Sequence, residues 1–277
     1  MPIDYEHLMS LRSRSEAVSY TDRDTLLYAL AVGLGRDPGD RAELPYVSEH
    51  AGLRALPTLA SVLVPASLLQ DCGWEAARVV RQAESLTLDR PLDDSGALLV
   101  DSAVIAVTDQ GADTGALIVV ESRARRAHDD QPLFSLRRTL LARGDGGFGG
   151  PRGTAGVVAY RMPERAPDLT AMLATRADQG LLFRLCGDRD PAYVNPAAPV
   201  LPELCTWGIA CHAVLRVICE YDHTLIASFA AGFSAPVTPG ENLQAELWQD
   251  ANVVSFRLRV SERNAIVLDN GRCVLAS

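Results

Sequence analysis

The stretch Thr175-Arg-Ala-Asp178-Gln-Gly-Leu181-Leu-Phe-Arg-Leu185-Cys-Gly187-Asp188-Arg-Asp190-Pro191-Ala-Tyr193-Val-Asn195-Pro196, with Leu201-Pro202-Glu203-Leu204-Cys205-Thr206-Trp207-Gly208-Ile209-Ala210 after it, decides how the chain is read. Thr175 is a good N-cap, Asp178 suits the first turn, and Leu181, Leu182 and Leu185 give an apolar face, so a helix is expected as far as Gly187. The segment Gly187 to Pro191 then holds two carboxylates in a turn rich in breakers. From about Leu204 to Glu220 the sequence is apolar almost all round, which predicts a second helix, buried in the wrap of a sheet.

Working outward, the second half of the chain repeats the first. Thr21, Asp24, Leu27 and Gly33 recur as Thr175, Asp178, Leu181 and Gly187, each 154 positions on. Leu56-Pro57-x-Leu59 recurs as Leu201-Pro202-x-Leu204, and Pro91 as Pro236, now 145 positions on. Constant offsets in a constant order favour duplication of one unit. Each unit reads as helix, loop, apolar helix, then antiparallel strands. In the first, Met1 to Val18 reads as a helical or irregular lead-in, Thr21 to Ala31 as a helix, and Ala60 to Leu69 as an apolar segment broken by Pro65. Strands are expected at Ser85 to Leu88, Ala97 to Thr108, Ala116 to Arg126 and Leu133 to Ala142. In the second unit they are expected at Thr224 to Pro236, Leu243 to Gln249, Val253 to Val260 and Ala265 to Leu275. Pattern alone therefore gives an α+β chain of two similar halves, 1–143 and 173–277. The glycine-rich run from Gly144 to Gly153 opens a linker expected over 144–172. That run lacks the lysine and the helix of a phosphate-binding P-loop.

Composition narrows the classes. The chain has 277 residues, 48% hydrophobic, with a net charge of −9, and all 26 basic residues are arginine. Acidic balance makes a nucleic-acid partner a poor fit. The longest apolar run, Leu59 to Leu69, contains Pro65 and is too short for a bilayer, so no membrane partner is expected. The N-terminus has neither a basic start nor an apolar core, and six cysteines show no Cys-x-x-Cys pair, so the expected setting is a reducing cytoplasm with free thiols. His50, His128 and His223 have no partners at metal spacing, and no metal is expected.

The quoted stretch resembles the MaoC-like, R-specific enoyl-CoA hydratases. Phe183, Arg184, Leu185, Gly187, Asp188 and Pro191 match one motif of that family, and Leu204, Cys205, Thr206 and Gly208 match the next. Further ordered matches run through Tyr20 to Leu30, Gly52 to Thr58, Gly144 to Gly150 and Phe233 to Gly240, so the resemblance covers nearly the whole chain. It implies a tandem double hotdog: two curled antiparallel sheets, each wrapping a buried helix. It also implies an acyl-CoA substrate, no cofactor, a homodimer, and reversible addition of water to an enoyl thioester. That chemistry needs a group that takes a proton from water, a group that delivers one to the α-carbon, and a donor at the thioester oxygen.

Carried over by position, the resemblance places Asp188, Tyr193 and Asp190 in the catalytic set. Substrate contacts fall at Arg81, Gln82, Gln110, Arg189, Pro191, Ala192, Glu203, Leu204 and Phe233. Departures cluster at reactive positions. Tyr193 stands where the family has its histidine, and Asp190 where it has asparagine. Pro202-Glu203 replaces His-Gly, Arg81-Gln82-Ala83-Glu84 replaces His-Gly-Glu-Gln, and Gln110 replaces a lysine. The loop between Asn195 and Val200 is shortened. Tyrosine, with an ordinary pKa of about 10, is a poor base at neutral pH. If the carboxylates of Asp188 and Asp190 converge, one is expected to hold its proton more tightly. A replacement dyad of Asp188 with Glu203 is one expectation. Others are a turn role for Asp188 and Asp190, a filling role for Tyr193, and a helix-dipole role for Glu203. Binding of acyl-CoA without turnover, or service as a partner subunit, is the alternative function. His212, inside the second helix, reads as packed.

Overall fold

Two strands invisible to the sequence reading frame the sheet. The computed structural model describes residues 3–70, 72, 74, 78–153 and 160–276. In the first half, α1 (Tyr5–Ser10) leads into β1 (Arg12–Tyr20), then α2 (Asp22–Ala31), α3 (Leu44–Val47), α4 (Ala60–Leu63), β2 (Val79–Leu88), β3 (Gly96–Asp109), β4 (Ala116–Arg126) and β5 (Pro132–Ala142). The second half holds β6 (Leu169–Ala174), α5 (Gln179–Phe183), α6 (Glu203–Val217), β7 (Ile226–Phe233), β8 (Asn242–Asp250), β9 (Val253–Val260) and β10 (Ala265–Leu275). All strands among the described residues join one sheet in the order β1-β3-β4-β5-β2-β7-β10-β9-β8-β6. The first five and the last five repeat one order about the β2–β7 seam, which pairs Ala83 with Gly232 and Thr87 with Ser228. The duplication read from the offsets is thus a duplication of topology.

The missed strands are the two edges. β1 reads Arg-Ser-Arg-Ser-Glu-Ala-Val-Ser-Tyr and is mostly polar, because only one of its sides meets another strand. Its pairing with β3 slips at a bulge between Ser13 and Glu16, with Ser15 at φ 51°. Such an edge carries no apolar alternation for a sequence reading to find. β6 begins inside the span expected as linker and pairs with β8 from Leu169–Leu247 to Ala174–Asn242. The glycine run is also built structure. The Gly147 and Gly149 N–H groups donate to the two oxygens of Asp109 at 2.7 and 2.8 Å, and Gly111 N–H adds a third bond at 2.8 Å. A Cβ at Gly146 would stand 2.0 Å from the Gly111 carbonyl, so only glycine fits there. The loop folds back on the first half around its own carboxylate, which these N–H groups hold below the usual carboxylate range.

The helix expected from Thr175 is shorter. β6 runs to Ala174, and the Thr175 hydroxyl is spent on the neighbouring loop, donating to Glu241 O and accepting from Gly240 N–H. Helix α5 therefore starts only at Gln179, and a 3-10 turn, Arg184–Cys186, carries the chain to Gly187 at φ 124°. The apolar helix matches its reading. From Leu204 to Leu215 every residue of α6 is buried. Trp207 meets Phe229 edge-on at 5.5 Å, and Phe229 stacks on Phe256 at 4.5 Å, which pins α6 against β7 and β9. On its other side α2 crosses close. A Cβ at Gly208 would stand 2.5 Å from Val32 Cγ1 and 2.8 Å from the Tyr28 hydroxyl. One core cluster gathers α6 with residues of both halves, among them Leu56, Leu59, Leu86 and Phe134.

Candidate active site

Helix α6 begins at Pro202-Glu203, and its start is where the carboxylates gather. Pro202 holds extended backbone, and its carbonyl accepts from Cys205 and Thr206 N–H at 3.0 and 3.2 Å. Helix geometry leaves the N–H groups of Glu203 and Leu204 without intrahelical partners. Opposite them, Gly187 turns the chain so that Asp188 faces inward, and the 3-10 turn Pro191–Val194 brings Tyr193 back over it. The Tyr193 hydroxyl lies 2.9 Å from Glu203 Oε2 and 3.4 Å from Asp188 Oδ2. With one proton to give, it donates to the nearer carboxylate and stands beside the other. Burial, then the Glu203 and Asp188 carboxylates, push the phenol far above its ordinary value.

Asp188 is also pushed up. Burial is the main cause and the Glu203 carboxylate adds to it; Arg81, the Asp190 N–H and Arg138 pull the other way. The expected convergence of Asp188 with the Asp190 carboxylate is not what raises it. Asp190 is exposed, and its backbone N–H is what reaches Asp188. Glu203, fixed at the helix start, is the second carboxylate of the site.

The floor comes from the other half. β2 and β5 present Glu84 opposite Arg138, both buried. Arg138 donates to Glu84 from Nη2 at 3.1 Å and from Nε at 3.3 Å, and to the Ser61 carbonyl at 3.3 Å. Arg81 Nη1 donates to Glu84 Oε2 at 2.9 Å. Burial works against the Arg81 charge, but Glu84, Glu203, Tyr193 and Asp188 outweigh it and keep the guanidinium protonated. The sequence reading gives no separate role to Glu84, the last residue of Arg81-Gln82-Ala83-Glu84, and does not single out Arg138. A signal existed: Phe134, Leu136, Arg138, Leu140 and Ala142 share one face of β5, and an arginine on an apolar face requires a buried acid.

The matching family model is the MFE-2 hydratase 2 N-terminal domain, over residues 18–144. The enoyl-CoA hydratase ChsH3 of Mycobacterium tuberculosis is 31% identical over 100% of both chains. The 3-hydroxyacyl-thioester dehydratase Y of the same organism is 34% identical over 91% of each. A MaoC-like dehydratase from Phytophthora capsici superposes with a TM-score of 0.87 at 24% identity, covering 99% of this chain and 98% of that one. The chain belongs to the MaoC-like hydratase family.

Within that family's tandem double-hotdog fold, three of the substituted positions come near one another, and Glu203 and Tyr193 act on the Arg81 charge through space. Arg81 touches Glu84, and Tyr193 touches Glu203, although 112 residues separate Arg81 from Tyr193. Leu204 is buried in the core, and Phe233, at the end of β7, packs against that core. Gln82 is the residue at which the β2–β5 register slips. Pro191 opens the turn that carries Tyr193, Arg189 beside it is exposed, and the Ala192 side chain lies outside the described residues. Gln110 is not brought to the cluster. It follows β3, which β4 and β5 separate from β2, and its amide donates to Thr108 Oγ1 and the Gly153 carbonyl. His212 is packed, as expected, with Nε2 3.1 Å from Glu43 Oε1. No described helix is long and apolar enough to cross a membrane.

Proposed function

We propose that this chain is a hydro-lyase that adds water reversibly to 2-enoyl-CoA thioesters, giving 3R-hydroxyacyl-CoA. The observation that carries the reading is the convergence of Asp188, Tyr193 and Glu203 at the start of the buried helix. In the hydration direction Glu203 takes a proton from water as its oxygen bonds to the β-carbon. The π electrons move onto the thioester oxygen. Asp188, whose burial favours the protonated form, then gives its proton to the α-carbon. Glu203 is left protonated and Asp188 charged. Tyr193, whose hydroxyl stands between them, accepts from one while donating to the other, and so resets the site. A phenol with a raised pKa suits that task, because it passes a proton without holding a charge.

Water addition changes no oxidation state, so the reaction calls for no redox cofactor. We place the chain in a reducing cytoplasm, where its six free cysteines would stay reduced, and assign it the homodimer that the family resemblance implies. Binding of acyl-CoA without turnover is the second reading. It is favoured by the Glu203 carboxylate standing at the helix start, where an incoming thioester oxygen is repelled unless another donor meets it.

Purified protein mixed with crotonyl-CoA and with a longer enoyl-CoA decides between them, read as loss of the conjugated absorbance. Turnover is expected, and Tyr193→Phe is expected to slow the steady state while leaving a first-turnover burst. Tight binding by calorimetry with no turnover selects the second reading. A Tyr193→Phe variant as fast as wild type removes the relay.

A further inference from the structure

We infer that Arg81 is the donor that holds the thioester oxygen as negative charge gathers on it. The inference rests on the hydro-lyase reading above and assigns its remaining role. Along a regular strand, residues 81 and 84 would face opposite ways. The β2–β5 register slips between Arg81 and Ala83, leaving Gln82 as the extra residue of a bulge. That slip turns Arg81 onto the face of Glu84, Arg138 and Leu140. The same face is apolar core one step along, at Leu86 and Leu136. The bulge thus sets a guanidinium where core gives way to site, near enough to the start of α6 for the Glu203 carboxylate to act on its charge.

Three observations show what the guanidinium is free to do. Glu84 is tied on both oxygens by Arg138, and it takes only Nη1 of Arg81. The Arg81 Nε–H is buried and meets no acceptor among the described residues. Glu203, Tyr193 and Asp188 all act on Arg81 through space, yet none of them bonds to it among the described residues. A charged donor with bonding capacity left over therefore faces the two carboxylates across an unbridged interval.

The charges close the argument. With Asp188 protonated, Arg81 and Arg138 balance Glu84 and Glu203. When water yields its proton, Glu203 becomes neutral while the hydroxyl oxygen bonds to the β-carbon and the C=C π pair passes through the α-carbon to the thioester oxygen. One negative charge disappears from Glu203 and one appears on the enolate oxygen, so the Arg81 field is released at the moment the new anion needs it. Asp188 then protonates the α-carbon, the enolate pair returns to form that C–H bond, and the C=O is restored. Charge-assisted donors are about twice as strong as neutral ones. Arg81 is thus better matched to this oxygen than the α6 N–H groups, which share their position with the Glu203 carboxylate.

The test uses cinnamoyl-CoA, an aryl-conjugated enoyl thioester that absorbs at longer wavelength as its carbonyl is polarised, with wild type, Arg81→Met and Arg81→Lys. Wild type is expected to shift the bound absorbance to the red. Arg81→Met is expected to bind within a few-fold of wild type by calorimetry, to lose the red shift, and to lose about 10²–10³-fold in kcat on crotonyl-CoA with little change in KM. Arg81→Lys, which keeps the charge, is expected to recover part of the shift. Should Arg81→Met not fold, the lysine variant together with Glu84→Gln carries the test, since Glu84→Gln leaves Arg81 charged and should keep the red shift. A red shift and kcat unchanged in Arg81→Met overturn the assignment and leave the hydro-lyase reading standing. A wild type that hydrates no enoyl-CoA removes that reading, and this one with it.

Discussion

In the first half, Leu56-Pro57-Thr58-Leu59 starts a helical segment that ends at Leu63; in the second, Leu201-Pro202-Glu203-Leu204 starts one that runs to Val217. Pro65 explains the shorter helix. It forces Val64 into extended backbone, at ψ 120°, where the second unit has Ile209 and Ala210 inside α6. The residues at the two starts differ in kind. Thr58 is fully buried, and Leu34, the counterpart of Asp188 at the 154-residue offset, is packed in the core. The first half therefore has the turn and the helix start but no proton donor or acceptor there. What it contributes instead lies on its strands: Arg81, Glu84 and Arg138 bond to one another, and the Arg81 charge is felt through space by Glu203 and Asp188 of the second half. We read this as duplication followed by division of labour, with Asp188 and Glu203 on one side and two arginines around Glu84 on the other.

The sharpest break of that comparison is to treat the two helix starts alike. Glu203→Gln and Asp188→Asn are each expected to lower kcat on crotonyl-CoA by about 10²–10⁴-fold, the usual worth of a placed acid or base. Thr58→Ser, at the matching place in the first half, is expected to stay within a few-fold of wild type. Equal losses at both starts would show that the halves share the chemistry. Stopped-flow absorbance with the three variants side by side makes the measurement.

Next in size is the fixed charge. Glu84→Ala leaves Arg81 and Arg138 facing each other with no buried acid between them, and removal of one partner from a buried ion pair costs about 3–5 kcal/mol. Urea unfolding is expected to show that loss at pH 7. A change under 1 kcal/mol would mean that water, not Glu84, carries the charge of the two arginines, and the proposed division of labour would lose its foundation.

How much of this was legible follows from which residues advertise themselves. Helix α6 and most of the inner strands were readable from their apolar runs and alternation, but β2 only from Ser85 on, because Arg81, Gln82 and Glu84 interrupt its pattern. β1 and β6 were not, because an edge strand meets a neighbour on one side only. Asp188, Tyr193 and Glu203 could be singled out through the family resemblance, which supplies the motif positions they occupy. Their meeting could not, because it depends on Gly187 at φ 124° and on the turn at Pro191. The glycine run misled for a physical reason: glycines that let a chain wander also let it wrap a carboxylate, and Asp109, the residue wrapped, lies far from the run in sequence. Arg138 was the missed opportunity, a charge at an inward position of β5.

The smallest effect separates Asp188 from its apolar counterpart by pH alone. Burial raises its folded pKa above the unfolded value, so between those values the native state holds a proton that the unfolded chain has released. Stability from this group is therefore present at low pH and declines as pH rises through that window, from the ordinary carboxylate value up to the raised one. Above the window the charge is carried at a cost. Asp188→Asn removes this pH dependence, so its melting temperature is expected to exceed that of wild type at neutral pH and to converge with it below about pH 4, the ordinary range of an aspartate. Leu34→Val, by comparison, should lower the melting temperature by the same amount at every pH, since nothing there titrates. A wild type and Asp188→Asn pair whose melting curves run parallel from acid to neutral pH would mean that Asp188 is an ordinary solvated carboxylate. The proton on offer to the α-carbon would then have to come from elsewhere.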